Sequence, residues 1–456
     1  MGLFNKLEQL KEYKSGVKHC TFDPDGPGVV RIHLIPPKFK LFGNPCHIVI
    51  LNGYYLLPLG YSLAVTLSAF ISEINALGKR EMTDEEYKKV IDKTVSKVCR
   101  VYPAVPKSNI REDLFDMLDV LFAVARGEDA GGDIEKLSIR KYASNMTAPH
   151  RVDLMVSAMT DCDGKWKCNQ KCIFCYAAGE PLSKTEELGT EEWLEAIERL
   201  KKAGVPMITF TGGEPTQIAD LCRLVESAKW FVTRLNTNGT LLTRELCEGL
   251  RAASLDSVQI TLYSHDEEVH NSLVGSTHFA DTVAGIKNAV AAGLDVSINT
   301  PLCKKNSDYV KTLEFIKSLG VRYATVSGLI CTGTAGINHD EYDLSSDELF
   351  LTVSAAKKYC TENGIEIDFT SPGLIEKEKL EELGMNVPSC GACLSNMAIA
   401  PDGHVIPCQS WLRNGAGLGN ILKDDWKGIW NAPICTKLRS MTDEEALGCP
   451  FRRGEL

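Results

Sequence analysis

Between residues 149 and 335 the sequence alternates apolar, strand-like segments with helical patterns, and this alternation limits the folds open to the chain. Six apolar segments are typical of strands, at 152–159, 207–211, 232–236, 258–262, 296–300 and 323–326. Helical patterns fall between them, near 191–203, 218–227, 244–252, 279–292 and 308–319. Apolar strands with little alternation indicate a parallel sheet that is buried on both faces. The pattern predicts an α/β core of six βα units, with its chemistry at the carboxyl ends of the strands.

Three cysteines lie in the loop after the first of these strands, at Cys168, Cys172 and Cys175. Their C-x3-C-x2-C spacing offers a 4Fe–4S cluster three thiolates and leaves its fourth iron open to a small molecule. Buried structural cysteines and half of a zinc site are the alternatives, although zinc sites favour two matched cysteine pairs. An electron carrier or cluster-bearing scaffold would close all four ligand positions, so the open spacing argues against that class of protein.

A glycine turn follows the second strand, within the sequence Ile-Thr-Phe-Thr-Gly-Gly-Glu-Pro that ends at Pro215. Gly212 and Gly213 would let a ligand approach the backbone. The strand-end carbonyls, together with Glu214, offer acceptors to an ammonium group. Such a turn by itself is common between secondary-structure elements and does not indicate a site. Its place one βα unit after the cysteine loop predicts that the two segments serve one site.

With Phe174 just before the last cysteine, these two motifs together resemble the signature of the radical S-adenosylmethionine (radical SAM) enzymes. The resemblance implies a partial (β/α)6, TIM-like barrel with a 4Fe–4S cluster on the three cysteines. It also implies that S-adenosylmethionine (SAM) binds the open iron. An electron from reduced flavodoxin or ferredoxin would then cleave SAM to a 5′-deoxyadenosyl radical, which abstracts a substrate hydrogen.

The resemblance further implies a set of residues that contact SAM. They are Phe174, Gly212, Gly213, Glu214, Pro215, Asn238, Thr261 and Asn299. Asn238 lies in the turn after the third strand, Thr261 stands where relatives carry a serine, and Asn299 would contact the ribose. Ordinary strand-end residues that satisfy a loop backbone are the alternative for these three. The Thr-Leu-Tyr-Ser-His sequence at the fourth strand also departs from the family's Ser-x-Asp-Gly.

A second group of cysteines lies beyond residue 389, around a hairpin whose turn is predicted at residues 401–403. It resembles the SPASM or twitch extension of radical SAM enzymes, whose full form holds two further clusters on about seven cysteines. The closing cysteine run of that form is lacking, so we expect one auxiliary 4Fe–4S cluster. The expected ligands are Cys390, Cys393, Cys408 and Cys449.

One ligand of this set and the identity of its metal stay open. Cys435, at a predicted helix start, is the rival of Cys449 for the fourth position. A zinc ribbon on four cysteines is the rival chemistry, because a C-x2-C pair beside a hairpin also suits zinc.

We predict three domains, at residues 1–148, 149–335 and 336–456, with a linker over 126–150. The first contains strand patterns at 29–34 and 46–57, then helical patterns at 62–77, 83–99 and 111–125, the second with a capping signature at Thr83. This α+β order resembles winged-helix-like peptide-recognition domains, in which a leader peptide adds a strand to the sheet edge. A structural cap on the barrel is the alternative.

Charge and composition exclude several classes of partner. With 50 lysines and arginines against 60 acidic residues, the net charge is −10, and no basic block points to nucleic acid. The uncharged stretch 54–72 is interrupted by Pro58 and Gly60, so we expect no membrane span. The charged, amphipathic first residues indicate no signal peptide. Seventeen cysteines then read as metal ligands in a reducing, anaerobic cytoplasm.

The predicted function is radical modification of a ribosomally made peptide, by a crosslink, a thioether or an oxidation. An auxiliary cluster suits either electron acceptance from a substrate radical or ligation of a substrate thiolate. Dehydrogenation or epimerisation of a small molecule or peptide is the alternative, with Cys162 as a spare thiol for hydrogen donation. The sequence identifies no general base and does not specify the bond formed or the oligomeric state.

Overall fold

The computed structural model describes residues 16–22, 30–37, 46–78, 82–126, 128, 137–413, 415 and 417–450. The chain divides into two compact units, Met1–His150 and Arg151–Leu456, called the amino-terminal and carboxy-terminal units below. In the described part of the chain, no helix combines the length and apolarity needed to cross a bilayer.

The amino-terminal unit contains a four-stranded antiparallel sheet in the order β1-β2-β3-β4. Its strands are β1 (Lys18–Phe22), β2 (Val30–Ile35), β3 (His47–Leu51) and β4 (Tyr55–Leu59). The strand pattern predicted over 46–57 is therefore a hairpin. Asn52 and Gly53 form its turn with φ of 49° and 70°, conformations that favour Asn and Gly in tight hairpins. The sequence analysis missed β1.

Helices cover this sheet within the same unit. They are α1 (Tyr61–Leu77), α2 (Asp84–Val101), α3 (Lys107–Ala125) and the short α4 (Ile139–Tyr142). Thr83 caps α2 in a capping box with Glu86, as its position predicted. Apolar side chains of β1 to β4 and of α1 to α3, such as Leu34, Phe70 and Leu118, form one buried cluster.

The carboxy-terminal unit is built on a ten-stranded sheet in the order β11-β10-β9-β8-β7-β6-β5-β12-β13-β14. The eight strands from β11 to β12 run parallel in this order, and the last two continue antiparallel. The core strands are β5 (Arg151–Ser157), β6 (Met207–Gly212), β7 (Val232–Thr237), β8 (Ser257–Thr261), β9 (Asp295–Pro301) and β10 (Tyr323–Ser327). These six predicted strands are confirmed, with ends shifted by at most two residues.

The remaining strands come from the region after residue 335. They are β11 (Glu366–Phe369), β12 (Asn396–Ile399), β13 (His404–Ile406) and β14 (Gly419–Asn420). The β12–β13 hairpin with its predicted turn is confirmed, and Gly403 N donates to Ala400 O across that turn. Because β12 pairs in parallel with β5, the hairpin joins the core sheet directly. The region after residue 335 thus adds strands at both edges of the six-stranded core sheet, β11 beside β10 and β12 beside β5.

The described helices of this unit are α5 (Thr190–Ala203), α6 (Leu221–Ser227), α7 (Arg244–Ala252), α8 (Glu267–Val274), α9 (Phe279–Ala291), α10 (Tyr309–Ser318), α11 (Gly333–Tyr342), α12 (Ser346–Asn363), α13 (Lys377–Glu382), α14 (Trp426–Trp430) and α15 (Pro433–Arg439). Helices α5 to α13 lie between strands of this sheet, and α14 and α15 follow the last strand. The five helices predicted within the core are confirmed. Parallel strands with crossover helices bring their carboxyl ends to one edge, where loops can build a site.

Candidate functional site

A cavity of about 580 Å³ opens within the carboxy-terminal unit. Residues from β5 to β12 line it, together with loops that follow several of these strands. Seven cysteines line it, namely Cys168, Cys172, Cys175, Cys331, Cys390, Cys408 and Cys449. The structure therefore brings the first predicted cysteine group and three members of the second group to the walls of one cavity.

Backbone hydrogen bonds on two sides hold the loop that carries the first three cysteines. On one side, Lys171 N donates to Val274 O at 3.0 Å and Ile173 N to Leu273 O at 3.0 Å, at the end of α8. On the other, the hydroxyl of Thr334 on α11 donates to Cys172 O and Cys175 O, both at 3.2 Å. The fold thus fixes the loop backbone with partners from two helices.

Two glycines allow this close packing. Gly275 has φ +62°, and a Cβ there would lie 2.5 Å from Lys171 O. Gly333 has φ +59°, and a Cβ there would lie 2.3 Å from Cys175 O. Both the left-handed backbone and the contact distance exclude a side chain at these positions. Sequence reasoning missed both glycines, since nothing local shows that they touch the cysteine loop.

The three thiols share an environment that disfavours the free thiolate. Burial raises the pKa of Cys168 to about 12, and Glu214 and Cys175 add to the rise. Burial also raises the pKa of Cys172 and of Cys175. Coordination to a cationic metal centre deprotonates a thiol outright, so an iron–sulfur cluster would offset this cost. Three thiols on one short loop suit such a cluster, which prefers soft thiolate ligands.

Unpartnered polar atoms on the cavity wall also fit a polar ligand. Gln170 Nε2 and Asn236 Oδ1 are buried and have no hydrogen-bond partner among the described residues. Both residues line the cavity. Buried polar atoms are normally satisfied, so an orphaned donor and acceptor on one cavity wall mark a place for a ligand with groups of both kinds. SAM, with its amino, carboxyl and ribose groups, is such a ligand.

The Gly-Gly-Glu-Pro turn is held against β5. A Cβ on Gly212, whose φ is +139°, would lie 2.5 Å from Ser157 O, and one on Gly213 would lie 2.7 Å from Ala158 O. The two glycines line the cavity, and their lack of a side chain serves the contact with the chain at and just after the end of β5. Pro215 is buried and begins a short 3-10 turn rather than facing the cavity.

Glu214 organises the neighbouring turn. Its side chain is 1% exposed and accepts four hydrogen bonds. Thr216 N and its hydroxyl donate at 3.0 and 2.6 Å, the hydroxyl of Thr237 at 2.6 Å, and Asn238 N at 2.8 Å. Burial raises the pKa of Glu214, and these hydrogen bonds oppose the rise. Three of these donors share Oε1, whereas Oε2 accepts only from Asn238 N and keeps an acceptor position for a ligand.

Asn238 links the turn after β7 to the cysteine loop. Its Nδ2 donates to Asn169 Oδ1 at 2.7 Å, and its Oδ1 accepts from Thr240 N and from the Thr240 hydroxyl. Asn169 Nδ2 in turn donates to the Thr240 hydroxyl at 2.6 Å. Asn169 and Thr240 were not predicted as site residues. Their neighbours Cys168 and Asn238 were the only signal.

The other predicted SAM contacts also lie at the cavity. Thr261 and Asn299 line it from β8 and β9, and Asn299 Oδ1 accepts from the Thr325 hydroxyl at 2.9 Å. Phe174 lines it and packs edge-on against Tyr342, with ring centroids 5.4 Å apart. The structure therefore brings together every predicted contact except Pro215.

Cys162, considered for hydrogen donation, is exposed and does not line the cavity, whereas Cys331 does.

The second cysteine group divides into two parts. Cys390, Cys408 and Cys449 line the cavity. The pKa of the Cys408 thiol is raised to about 12. Burial is the largest cause, and the nearby Cys390 and Cys449 contribute to the rise. Cys393 does not line the cavity. Its thiol lies 3.3 Å from Cys435 Sγ, and both side chains are fully buried.

The Cys393–Cys435 pair has its own environment. Cys393 N donates to Asn396 O and Pro407 O, which holds its backbone at φ +55°. The hydrogen bond to Cys435 and burial raise the pKa of Cys393, while that bond and Arg439 lower the pKa of Cys435. Arg439 stacks on Trp430, with 3.8 Å from its guanidinium carbon to the ring centroid. The predicted four-cysteine set is thus split between the cavity and this pair.

Two family models match parts of the chain. Residues 167–316 match the radical SAM superfamily, and residues 390–450 match SPASM, an iron–sulfur cluster-binding domain. The first match implies a 4Fe–4S cluster and SAM, and the second implies auxiliary iron–sulfur clusters.

The chain is also similar in sequence to curated proteins and in fold to solved structures. An AdoMet-dependent heme synthase of Methanosarcina barkeri is 29% identical over 300 residues, covering 60% of this chain and 82% of that protein. A probable GTP 3′,8-cyclase of Saccharolobus islandicus is 27% identical over 265 residues, covering 57% and 85%. The crystal structure of Streptococcus suis SuiB bound to S-adenosylmethionine has a TM-score of 0.60 at 17% identity, covering 93% and 96%. SuiB has also been solved bound to precursor peptide SuiA.

Proposed function

Because this chain belongs to the radical SAM superfamily and carries a SPASM domain, we propose that it modifies a peptide by radical chemistry in the cavity of its carboxy-terminal unit. The observation that carries the proposal is the single cavity lined by both the radical SAM cysteines and three SPASM cysteines. A substrate placed there would have SAM on one side and an auxiliary electron acceptor on another.

Cys168, Cys172 and Cys175 would hold a 4Fe–4S cluster, which together with SAM supplies a 5′-deoxyadenosyl radical able to take a hydrogen atom from a substrate C–H bond. The protein's own contribution is orientation. Glu214 fixes the turn that carries Asn238, and Asn238 connects that turn to the cysteine loop. The apolar cluster of Phe174, Tyr263 and Leu329 packs beside this loop and limits water there.

The auxiliary cluster would be held by Cys390, Cys408 and Cys449. This proposal revises the four-cysteine set expected from the sequence, because the Cys393 thiol is engaged with Cys435. Cys390, Cys408 and Cys449 come from the loop before β12, the loop after β13 and the segment after α15. With three thiolates, one iron would be left for a ligand that enters the cavity.

Two features support a peptide as the substrate. SuiB, whose fold is similar over 93% of this chain, has been solved with its precursor peptide. Among the described residues the edge strands of the amino-terminal sheet are β1 and β4, and Leu137 N already donates to Leu56 O of β4, so β1 is the edge proposed for a peptide. An unpaired edge strand can accept an extended peptide as an additional strand. A leader segment bound there would raise the local concentration of the segment to be modified.

A small-molecule substrate is the second candidate. The two curated relatives are named as a heme synthase and a GTP cyclase, and each aligns over more than half of this chain. The inward-facing positions of the barrel strands are also largely polar, among them Gln259, Asn299 and Thr325. A polar interior suits a compact substrate with several hydrogen-bonding groups.

The test incubates the anaerobically reconstituted full chain with SAM, dithionite and the peptide encoded by a short reading frame beside its gene. Mass spectrometry should show a SAM-dependent change in peptide mass, such as loss of two hydrogens for a crosslink, and none with Cys168→Ala. SAM cleavage without any change in the peptide, but with turnover of a small molecule, would contradict the peptide proposal and support the second candidate.

A further inference from the structure

Two arginines, Arg151 and Arg234, line the cavity that the proposed function assigns to the substrate. Arg151 stands at the start of β5 and is ion-paired, with its Nε 2.8 Å from Asp153 Oδ1. Asp153 itself is 1% exposed, so this pair neutralises its buried charge within the wall. The charge of Arg151 therefore has a partner in the protein.

Arg234, on β7, has no such partner. Its one hydrogen bond is a long one, 3.4 Å from Nε to the hydroxyl of Ser257, and it forms no ion pair among the described residues. The side chain is half-buried in the cavity wall. Burial lowers its pKa and nearby Arg151 lowers it further, while Tyr323, Asp153 and Asp295 act in the opposite direction. A guanidinium stays protonated in proteins, so the site carries a positive charge that the protein leaves without a carboxylate contact.

Residues with hydroxyl groups lie in register with Arg234 on the two neighbouring strands. In the sheet register Arg234 pairs with Thr209 of β6 on one side and Ser257 of β8 on the other. Residues in register on adjacent parallel strands point to the same face of the sheet. Thr209 is 1% exposed, and its Oγ1 has no hydrogen-bond partner among the described residues. Arg234 thus stands in one row between two residues with hydroxyl groups, of which Ser257 accepts from its Nε and Thr209 has an orphaned Oγ1.

Oxyanions are the ligands that satisfy such a group of donors. A guanidinium offers paired N–H donors that match carboxylate and phosphate oxygens, and hydroxyls add further donors. Desolvating a charge is costly unless it is paired, which makes an unpaired guanidinium on a cavity wall a marker of ligand binding. The alternative, a purely structural arginine, would be expected to show an internal carboxylate, as Arg151 does.

We propose that Arg234 binds a carboxylate or phosphate group of the substrate where its guanidinium lines the cavity. The inference rests on the proposed function only in taking this cavity as the substrate site. Arg234 precedes Asn238 by four residues on the same strand and turn, a distance of about 13 Å at the usual rise of a strand.

Binding of two probes, inorganic phosphate and glutarate, tests this assignment without turnover. Isothermal titration calorimetry on the anaerobically reconstituted enzyme, at constant ionic strength set with chloride, measures both. We expect one site per chain for at least one probe, weakened roughly tenfold or more in Arg234→Gln, because a hydrogen bond to a charged group contributes about 1.5–3 kcal/mol. Binding of phosphate alone would identify the recognised group of the substrate as a phosphoryl group. Binding of glutarate would identify it as a carboxylate.

Control variants separate recognition from folding. Arg234→Lys keeps the charge but loses the paired donors, and should bind the probe more weakly than wild type while retaining its iron content. Arg244→Gln removes an exposed arginine of α7 that is paired with Glu248, and should bind like wild type. Equal affinity in wild type and both Arg234 variants, or no binding of either probe by wild type, would overturn the inference. Because SAM cleavage is not required, failure of the radical chemistry would leave this result standing.

Discussion

The division of the SPASM cysteines makes a sharp prediction about iron content. In a Cys168→Ala/Cys172→Ala/Cys175→Ala background the radical SAM cluster is removed, and about four iron atoms per chain should remain in the auxiliary cluster. Adding Cys408→Ser removes one of three proposed ligands that line the cavity. Adding Cys393→Ser instead removes a thiol that contacts Cys435 at 3.3 Å. We therefore expect the first addition to abolish the remaining iron and the second to preserve it.

The magnitude follows from the number of ligands left. A 4Fe–4S cluster normally uses three or four thiolates, and two do not retain it. The iron content should therefore fall from about four atoms per chain to below one when Cys408→Ser is added. Cys393→Ser should stay near four, and Cys435→Ser should behave in the same way. Iron and sulfide analysis after anaerobic reconstitution, with electron paramagnetic resonance of the reduced protein, measures both values. Equal loss of iron in Cys393→Ser and Cys408→Ser would refute the three-cysteine assignment and restore Cys393 as a ligand.

Three further predictions concern the shell around the site. Glu214→Gln removes the anionic acceptor of Asn238 N and should weaken SAM binding roughly tenfold in equilibrium dialysis. Thr216→Val, which removes one of the four donors to Glu214, is the milder control. Equal affinity for SAM in Glu214→Gln and in the wild type would contradict this role of Glu214. Gly333→Ala places a Cβ 2.3 Å from Cys175 O and should lower retention of the first cluster, whereas Gly364→Ala, at a similar φ but in open space, should not; equal iron contents would oppose this. Burial lowers the pKa of His270 from 6.5 to about 4, so its neutral form stabilises the fold above pH 6.5, and that contribution falls away as the pH drops toward 4. Between pH 7 and 5 the wild type should lose about 2 kcal/mol more than His270→Gln in thermal unfolding, and parallel profiles would argue against a buried neutral imidazole.

The strands and helices of the core could be predicted because their signals are local. Each core strand is a short apolar segment, as in Ile208 to Thr211, and the helices between them have the spacing of one buried face. The cysteine loop and the glycine turn carry their chemistry in consecutive residues. Their convergence on one cavity follows from parallel strands, whose carboxyl ends share an edge.

What the sequence could not show depends on contacts between distant residues. The parallel pairing of β12 with β5 joins segments about 240 residues apart, and no local pattern specifies it. The same holds for Gly333 against Cys175, and for the hydrogen bonds that Glu214 accepts from Thr216, Thr237 and Asn238. Cys393 shares a C-x2-C spacing with Cys390, yet its φ of +55° and its contact with Cys435 set it apart.

Formation of 5′-deoxyadenosine is the measurement that tests the central claim most directly. The full chain is reconstituted anaerobically and incubated with SAM and dithionite, beside the Cys168→Ala/Cys172→Ala/Cys175→Ala variant. The account predicts 5′-deoxyadenosine from the wild type and none from the variant, with the auxiliary iron retained in both. A wild type that is fully loaded with iron and binds SAM, yet forms no more 5′-deoxyadenosine than the variant, would contradict it.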